Sequence, residues 1–506
     1  MKSDKELYRR LRGLTREQLW GEEVPQFDRA PSRERMAKVA LIRAVGVVFA
    51  EGGDAAQKES VRGWLRGLLR DPEEKIRRYA MAALPKLGAG AEAEGELLAL
   101  LQPAAGEREK KSVGRVLEKI GGAATLAAGL APASTQKVQA SLTRQESPSS
   151  VPPGRVLADF RGVRIHLRCR KGLENIVRGE VQEFIAQNKK FRLLEFRGEC
   201  VALAPLAPFS LGELYQLRCF DTLGFGLGVV RAPRREESLE PLAKVIAAPA
   251  TRKLLRAFTE GSLRYRLEFV GRGHQRAAVR ELAARAFALC PEILNDARQA
   301  PWSIDLYAIK GGTSVELRPK ITPDPRLYYR TDDVWAASHP PLAACMARLA
   351  GRREGDVVWD PFCGSGLELI ERALLGGVKS IHGTDLDAAA LAIAQANITA
   401  AKLAGIEAQF THADFRDFLD IAGLGRNSVS LIITNPPMGR RIRVPSLTGL
   451  IDDLFTAAAL ALKPGGRLVF PNPLRLEPAD KSLKLDYRQP VDLGGFECRL
   501  EMYRKA

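Results

Sequence analysis

The stretch Val357-Val358-Trp359-Asp360-Pro361-Phe362-Cys363-Gly364-Ser365-Gly366 decides the fold. An apolar run ends in a carboxylate, a proline and two glycines, and a helical pattern, LELIERALLGG, follows at once. That order predicts strand, turn and helix, and glycines at such a turn let backbone approach a ligand closely. The spacing is not G-x-G-x-x-G and has no Walker lysine, which argues against a dinucleotide or a triphosphate. The alternation then repeats. SIHGTD (380–385), EAQFTHAD (407–414), SVSLIITNPP (428–437) and GRLVFPNP (466–473) read as strands with helical segments between them. Residues 331–506 are therefore expected to form an α/β, doubly wound sheet of mostly parallel strands. LDYRQPV (485–491) and FECRLEMYRK (496–505) close it as a strand pair.

Each of the first four strands ends in polar residues. Asp360 with Gly364 and Gly366 stands at the first tip, Asp385 at the second, Asp414 with Phe415 at the third, and Asn435-Pro436-Pro437-Met438 at the fourth. Ligands bind at that edge in such sheets. A carboxylate at the second tip can hold both hydroxyls of a ribose. One at the third can accept from an adenine amino group, while an aromatic covers the ring. A lone strand-tip Asp is more often a helix cap, but four polar tips in order form a stronger signal. At the fourth tip the Asn435 side-chain oxygen and the Pro436 carbonyl can each accept one hydrogen of an exocyclic amino group. The prolines fix the turn that makes them converge. Such a nitrogen is a weak nucleophile, so its reaction would be driven mainly by positioning, with no covalent intermediate. Cys363 and Cys345 read as packing residues. His339, His382 and His412 have no metal-ligand spacing, so no metal is expected.

Outward from this core, the charge is uneven. The 506 residues carry 77 Lys and Arg against 60 Asp and Glu, a net +17. By segment it is +5 over 1–130, +2 over 131–155, +11 over 156–330 and −1 over 331–506. A basic middle segment beside a near-neutral α/β segment points to a polyanionic partner held by 156–330. That segment alternates strand and helix signals: VRIHLRC (163–169), a helix over 171–187, FRLLEF, ECVALAPL, LRYRLEFV (263–270), a helix over 275–289, and two final strands around Gly311-Gly312. Residues 131–155 are rich in Ser, Pro, Gln and Thr and read as a linker. Residues 1–130 read as all helix. Within Ser60–Gly88, Val61, Trp64, Leu65 and Leu68 make one stripe and Ile76, Tyr79, Ala80, Ala83 and Leu84 another. Asp71-Pro72 is expected to cap the second helix. Helix stops at Gly46, Gly88 and Gly121 lie 42 and 33 residues apart, about the period of stacked helix pairs. No apolar run is long enough to span a membrane, the first ten residues lack a secretory signal, and seven cysteines show no C-x-x-C pair. A cytoplasmic protein is the expectation.

The four tips together resemble the class I S-adenosylmethionine-dependent methyltransferases, in the amino-methylating branch with N-P-P-[aromatic]. The segment WAASHPPLAACMARLAG (Trp335–Gly351), CRKGLE (Cys169–Glu174) and NPPMGRR (Asn435–Arg441) narrow the likeness to THUMP-containing RNA guanine-N2 methyltransferases of tRNA and 23S rRNA. The resemblance implies S-adenosylmethionine as cofactor and structured RNA as partner, tRNA ahead of rRNA. It implies cofactor contacts from Asp360, Phe362, Gly364, Ser365, Gly366, Asp385, Leu386, Asp414 and Phe415. It implies catalytic roles for Asn435, Pro436, Pro437 and Met438, and RNA contacts from Arg440 and Arg441. Met438 stands where the family usually has an aromatic. The implied architecture is a ferredoxin-like plus THUMP module over 156–330 and a Rossmann-like domain over 331–506. LLRDPEEKIRRYAMAALPKLG resembles a HEAT repeat and lies outside the usual family plan, where it could extend the RNA surface or dock a protein partner. Three rivals remain: a DNA adenine-N6 methyltransferase, a protein glutamine methyltransferase, and an RNA-binding or ribosome-assembly protein with a degenerate methyltransferase domain.

Overall fold

A computed structural model describes residues 4–88, 91–100, 107–127, 148–231, 235–273, 275–334, 337–439 and 444–506. Two compact units emerge, Met1–Pro148 and Ser149–Ala506.

The first unit is helical throughout its described residues. Val61, Leu65 and Leu68 are buried on helix Ala55–Leu68, and Ile76, Ala80 and Ala83 on helix Glu74–Ala83, so both stripes face one core. Two details of the sequence reading are corrected. Gly46 does not end a helix. It lies inside helix Ala40–Gly52, where a Cβ would stand 2.7 Å from the Cβ of Ala83, and it lets two helices touch. The helix stops instead at Gly53, so the ends at Gly53, Gly88 and Gly121 are spaced 35 and 33 residues apart. Asp71 does not sit at the helix edge either. It accepts from the Glu73 amide at 2.9 Å, forming the turn before Glu74–Ala83, and pairs with Arg35.

The second unit holds two large sheets. The first contains β1 (Ile165–Arg168), β2 (Phe191–Arg197), β3 (Cys200–Pro205), β4 (Thr222–Val230), β5 (Arg264–Phe269), β6 (Leu294–Asn295), β7 (Trp302–Ile309) and β8 (Gly312–Pro319). Their order is β6-β5-β7-β8-β4-β1-β3-β2. Strand alternation sorts their side chains by face. Ile165, Leu167, Val201, Leu203, Ile304, Leu306, Val315 and Leu317 are buried in one core. That core also takes Val177, Val181 and Phe184 from α1 (Glu174–Asn188), Leu242 and Ile246 from α2 (Arg235–Ile246), Leu254 and Leu255 from α3 (Pro249–Phe258), and Leu282 and Ala286 from α4 (Arg276–Leu289). The opposite face carries His166, Arg168, Asp305, Glu316 and Arg318. Arg168 and His166 both reach Glu316 across the intervening strand β4. A Cβ on Gly226 of β4 would lie 2.7 Å from the His166 ring, so glycine there leaves room for the cluster.

The second sheet contains β9 (Asp356–Asp360), β10 (Val378–Asp385), β11 (Glu407–His412), β12 (Val429–Ile433), β13 (Leu462–Asn472), β14 (Leu483–Asp492) and β15 (Glu497–Lys505). The order is β11-β10-β9-β12-β13-β15-β14, with β9 to β13 parallel and the last pair antiparallel. This is a Rossmann-like doubly wound sheet. Its strand order reverses between β9 and β12, where a crevice opens at the C-terminal strand ends. Three helices enter the site: α5 (Pro340–Ala350), α6 (Leu367–Leu374) and α7 (Ala388–Ala401).

The two sheets are tied together. Arg218 donates twice to Glu371 of α6 at 2.7 Å, and the Tyr329 hydroxyl donates to the same carboxylate at 2.5 Å. The Lys171 carbonyl accepts from the Asp492 amide at 3.1 Å. No helix among the described residues is long and apolar enough to cross a membrane.

Candidate active site at the strand ends

Asp360 closes β9 and is fully buried. Its Oδ1 accepts from the Phe362 amide at 3.0 Å and from the Thr434 hydroxyl at 2.5 Å, which joins the tips of β9 and β12 across the crevice. Its Oδ2 is buried and has no partner. Burial first, then the nearby Glu368 carboxylate, push the Asp360 pKa well above the ordinary carboxylate range. The chain next turns through Gly364 (φ 48°) and Gly366 (φ 79°), both in the left-handed region that glycine tolerates best. The Cys363 amide donates to the Thr384 carbonyl at 3.0 Å, so the loop is hung from the neighbouring strand. The Cys363 thiol is buried and its pKa raised, mainly by desolvation, so it is a packing group rather than a nucleophile.

Asp385 ends β10. Its Oδ2 accepts from the Gly364 amide at 2.8 Å and its Oδ1 from the Asp387 amide at 3.0 Å. Each oxygen keeps lone-pair capacity for a further donor. Beside it Leu386 is 70% exposed, a large apolar side chain left open at the crevice. Asp387 rather than Asp385 caps α7, accepting from the Ala389 amide at 2.9 Å. Asp414 also caps, accepting from the Arg416 amide and, at 2.8 Å, from its guanidinium. Phe415 is buried beneath Phe362 with ring centroids 4.8 Å apart, so Phe362 is the half-open ring of that pair.

Asn435 follows β12. Its Nδ2 donates to the Ser338 hydroxyl at 2.7 Å, and its Oδ1 is buried with no partner. Glu368 on α6 lies close to Ser338, and its fully buried side chain has an Oε1 with no partner. Burial lifts the Glu368 pKa to about 7. Three unpartnered buried acceptors, on Asp360, Glu368 and Asn435, thus stand at this edge. Met438 rests its sulfur 3.7 Å from the Cys498 thiol of β15. Trp335, Arg440 and Arg441 lie outside the described residues.

The structure therefore brings Asp360, Phe362, Gly364, Ser365, Gly366, Asp385 and Asn435 to one edge. Sequence reasoning missed Ser338, Glu368, Thr434 and Asn397. Asn397 on α7 donates to the Ser365 carbonyl at 3.0 Å and to the Asp332 carbonyl at 3.1 Å, holding the loop and the strap before α5 together. Only Glu368 carried a usable signal, an acid inside the apolar helix that follows the glycine turn. The other three are ordinary polar residues whose role depends on contacts distant in sequence.

Residues 328–477 match the family described as UPF0020, RMKL-like, methyltransferase domain. Over 174 residues the chain is 37% identical to the tRNA (guanine(6)-N2)-methyltransferase of Thermus thermophilus, covering 33% of this chain and 49% of that protein. It is 33% identical over 134 residues to the probable tRNA (guanine(10)-N2)-dimethyltransferase of Methanothermococcus thermolithotrophicus, covering 26% of this chain and 77% of that one. The chain spans about half the length of the first curated relatives it matches. Among solved structures, TrmN from Thermus thermophilus shares the fold over 68% of this chain and 100% of its own, with a TM-score of 0.52 at 21% identity.

Proposed function

The chain belongs to the RMKL-like methyltransferase family that includes tRNA (guanine-N2)-methyltransferases, and from that membership we propose that it methylates the exocyclic N2 of a guanosine in structured RNA, tRNA ahead of rRNA. The observation that carries this reading is the unpartnered Asn435 Oδ1 at the crevice where the glycine turn and Asp385 converge. A buried acceptor left empty is suited to an amino hydrogen of a base turned out of its helix.

The residues present fit S-adenosylmethionine. Asp385 retains capacity for two ribose hydroxyls, and the free Asp360 Oδ2 suits a cationic amino group. Gly364, Ser365 and Gly366 offer close backbone approach, while Phe362 and Leu386 offer apolar cover for adenine, backed by Phe415 and Asp414. When bound, the cofactor supplies a sulfonium methyl that an amino nitrogen takes by in-line displacement, the C–S electron pair returning to sulfur and one N–H proton passing to water. Asn435 and the Pro436 carbonyl accept the amino hydrogens and aim the nitrogen lone pair. Pro437 stiffens the turn, and Met438, braced on Cys498, covers the base face.

The middle sheet supports the RNA reading. A shallow cleft of about 370 Å³ at its β2 edge is lined by Arg161, Arg164 and Arg192 over an apolar floor that includes Phe160 and Leu206, with no carboxylate in its lining. We assign this module the ferredoxin-like and THUMP role, the N-terminal helices a HEAT-like role that docks RNA or a protein, and the chain a cytoplasmic location with its substrate. The test is transfer of labelled methyl from S-adenosylmethionine into separate tRNA, ribosomal RNA and DNA pools. Label entering tRNA is the expected result; label entering DNA alone, or none of the three, overturns the reading.

A further inference from the structure

We propose that Phe496, at the tip of the β14–β15 hairpin, is the ring that stacks on the target base, taking over from the motif aromatic whose place this chain fills with Met438. The inference deepens the proposed function and rests on it for the identity of the base.

Strand register places the ring. β14 and β15 pair antiparallel, with Val491 opposite Cys498 and Asp492 opposite Glu497. The hairpin closes through Gly494 (φ 89°) and Gly495 (φ 82°), both in the left-handed region that so tight a turn requires. Across that turn the Leu493 amide donates to the Phe496 carbonyl at 2.8 Å, so Leu493 and Phe496 stand opposite each other. Side chains two apart along a strand, or directly opposite across a pair, share a face. Val491, Leu493, Phe496 and Cys498 are therefore on one side of the hairpin. Val491 and Cys498 are buried at the base of that side, Leu493 packs against the core, and Phe496 at its outer end is half-buried.

A second contact fixes what this side faces. The Cys498 thiol lies 3.7 Å from the Met438 sulfur, three residues beyond Asn435. The hairpin thus leans on the fourth strand end, and Phe496 is the next side chain past Cys498 on that face, about 7 Å farther along the chain. The tip is also held firmly. Asp492 accepts from the Gly494 amide at 2.8 Å and from the Gly495 amide at 2.6 Å, and its own amide donates to the Lys171 carbonyl at 3.1 Å. A ring on so fixed a turn loses little freedom when a base stacks on it.

The chemistry calls for such a ring. A base turned out of its helix has left its stacking neighbours, and an aromatic face replaces them. A thioether covers a ring face more weakly, and Met438 is already in contact with Cys498. Phe362 and Phe415 are stacked on each other on the cofactor side. Asn435 then holds the amino group in the plane of the base, Met438 and Cys498 latch the hairpin to the strand end, and Phe496 supplies the π-face.

Three variants of the full chain test this: Phe496→Leu, Phe496→Leu combined with Met438→Phe, and Phe496→Trp. Phe496→Leu keeps apolar bulk and removes the ring. Its kcat for methyl transfer into tRNA should fall roughly tenfold or more, with KM for S-adenosylmethionine unmoved. Adding Met438→Phe returns an aromatic to the fourth strand end and should restore most of the lost rate, a rescue that a merely structural Phe496 would not allow. In Phe496→Trp, with S-adenosylhomocysteine bound, tRNA should quench fluorescence beyond the quenching seen in the parent. A full rate in Phe496→Leu, a loss that Met438→Phe does not restore, or fluorescence of Phe496→Trp that no nucleic acid quenches beyond the parent overturns the proposal. If DNA quenches that fluorescence and accepts methyl while tRNA does neither, Phe496 still stacks on a base and the proposed guanosine substrate falls.

Discussion

Asn435 holds one amide hydrogen on Ser338 and leaves its oxygen bare in a buried crevice. An unpaired buried acceptor costs about 1–3 kcal/mol, a cost relieved when a donor arrives. Asn435→Ala should therefore lower transfer on the order of 10²–10³-fold, with S-adenosylmethionine affinity by calorimetry left in place. A loss of cofactor affinity would mean that Asn435 acts on the other ligand. Glu368 makes a second statement testable by melting. Its carboxyl is lifted from 4.5 to about 7 in the folded chain, so the folded state holds the proton more tightly. The stability this contributes is full below about pH 4.5 and is lost as pH rises through 7. Glu368→Gln should melt above the parent at pH 8, by on the order of 2 kcal/mol, and the gap should close toward pH 5. An equal gap at both pH values would point to packing instead of ionisation.

The turn from Cys169 to Glu174 joins the two sheets. Gly172 has φ 96°, and a Cβ there would stand 1.9 Å from the Pro490 carbonyl of β14. Backbone cannot yield to that contact as a side-chain end would. Gly172→Ala should destabilise the second unit by at least about 2 kcal/mol, read as a lowered melting temperature; an unchanged one would show that the turn moves freely. The parallel strands of the second sheet were legible because each is a short apolar run ending in a polar tip. β4 was not: Thr222–Val230 reads TLGFGLGVV, and its glycines leave no alternation of apolar and polar side chains. The reason lies in other strands, since Gly226 clears the path of His166 toward Glu316. The same logic hid Gly46 as a contact glycine, for nothing near it in sequence announces Ala83. At the site, Asp360, Asp385 and Asn435 were legible by type and position. Ser338, nearly a hundred residues from Asn435, was not, because a serine before a His-Pro pair has no chemistry until the fold supplies its partners.

Across the chain, the positive charge and the candidate site lie in different parts: +11 over 156–330 and −1 over 331–506. RNA affinity should therefore fall steeply with salt while S-adenosylmethionine affinity does not. Reversing Arg161, Arg164 and Arg192 to glutamate should weaken RNA binding by on the order of tenfold or more, with cofactor affinity unchanged. Equal RNA binding by that variant would move the RNA surface elsewhere on the molecule. The central claim is that this chain places a methyl group on guanine N2. Nucleoside mass spectrometry of tRNA incubated with S-adenosylmethionine and either the parent protein or Asn435→Ala tests it most directly. New N2-methylguanosine with the parent and none with the variant is the expected result; N6-methyladenosine in its place, or no methylated nucleoside from a parent protein that binds the cofactor, would contradict it.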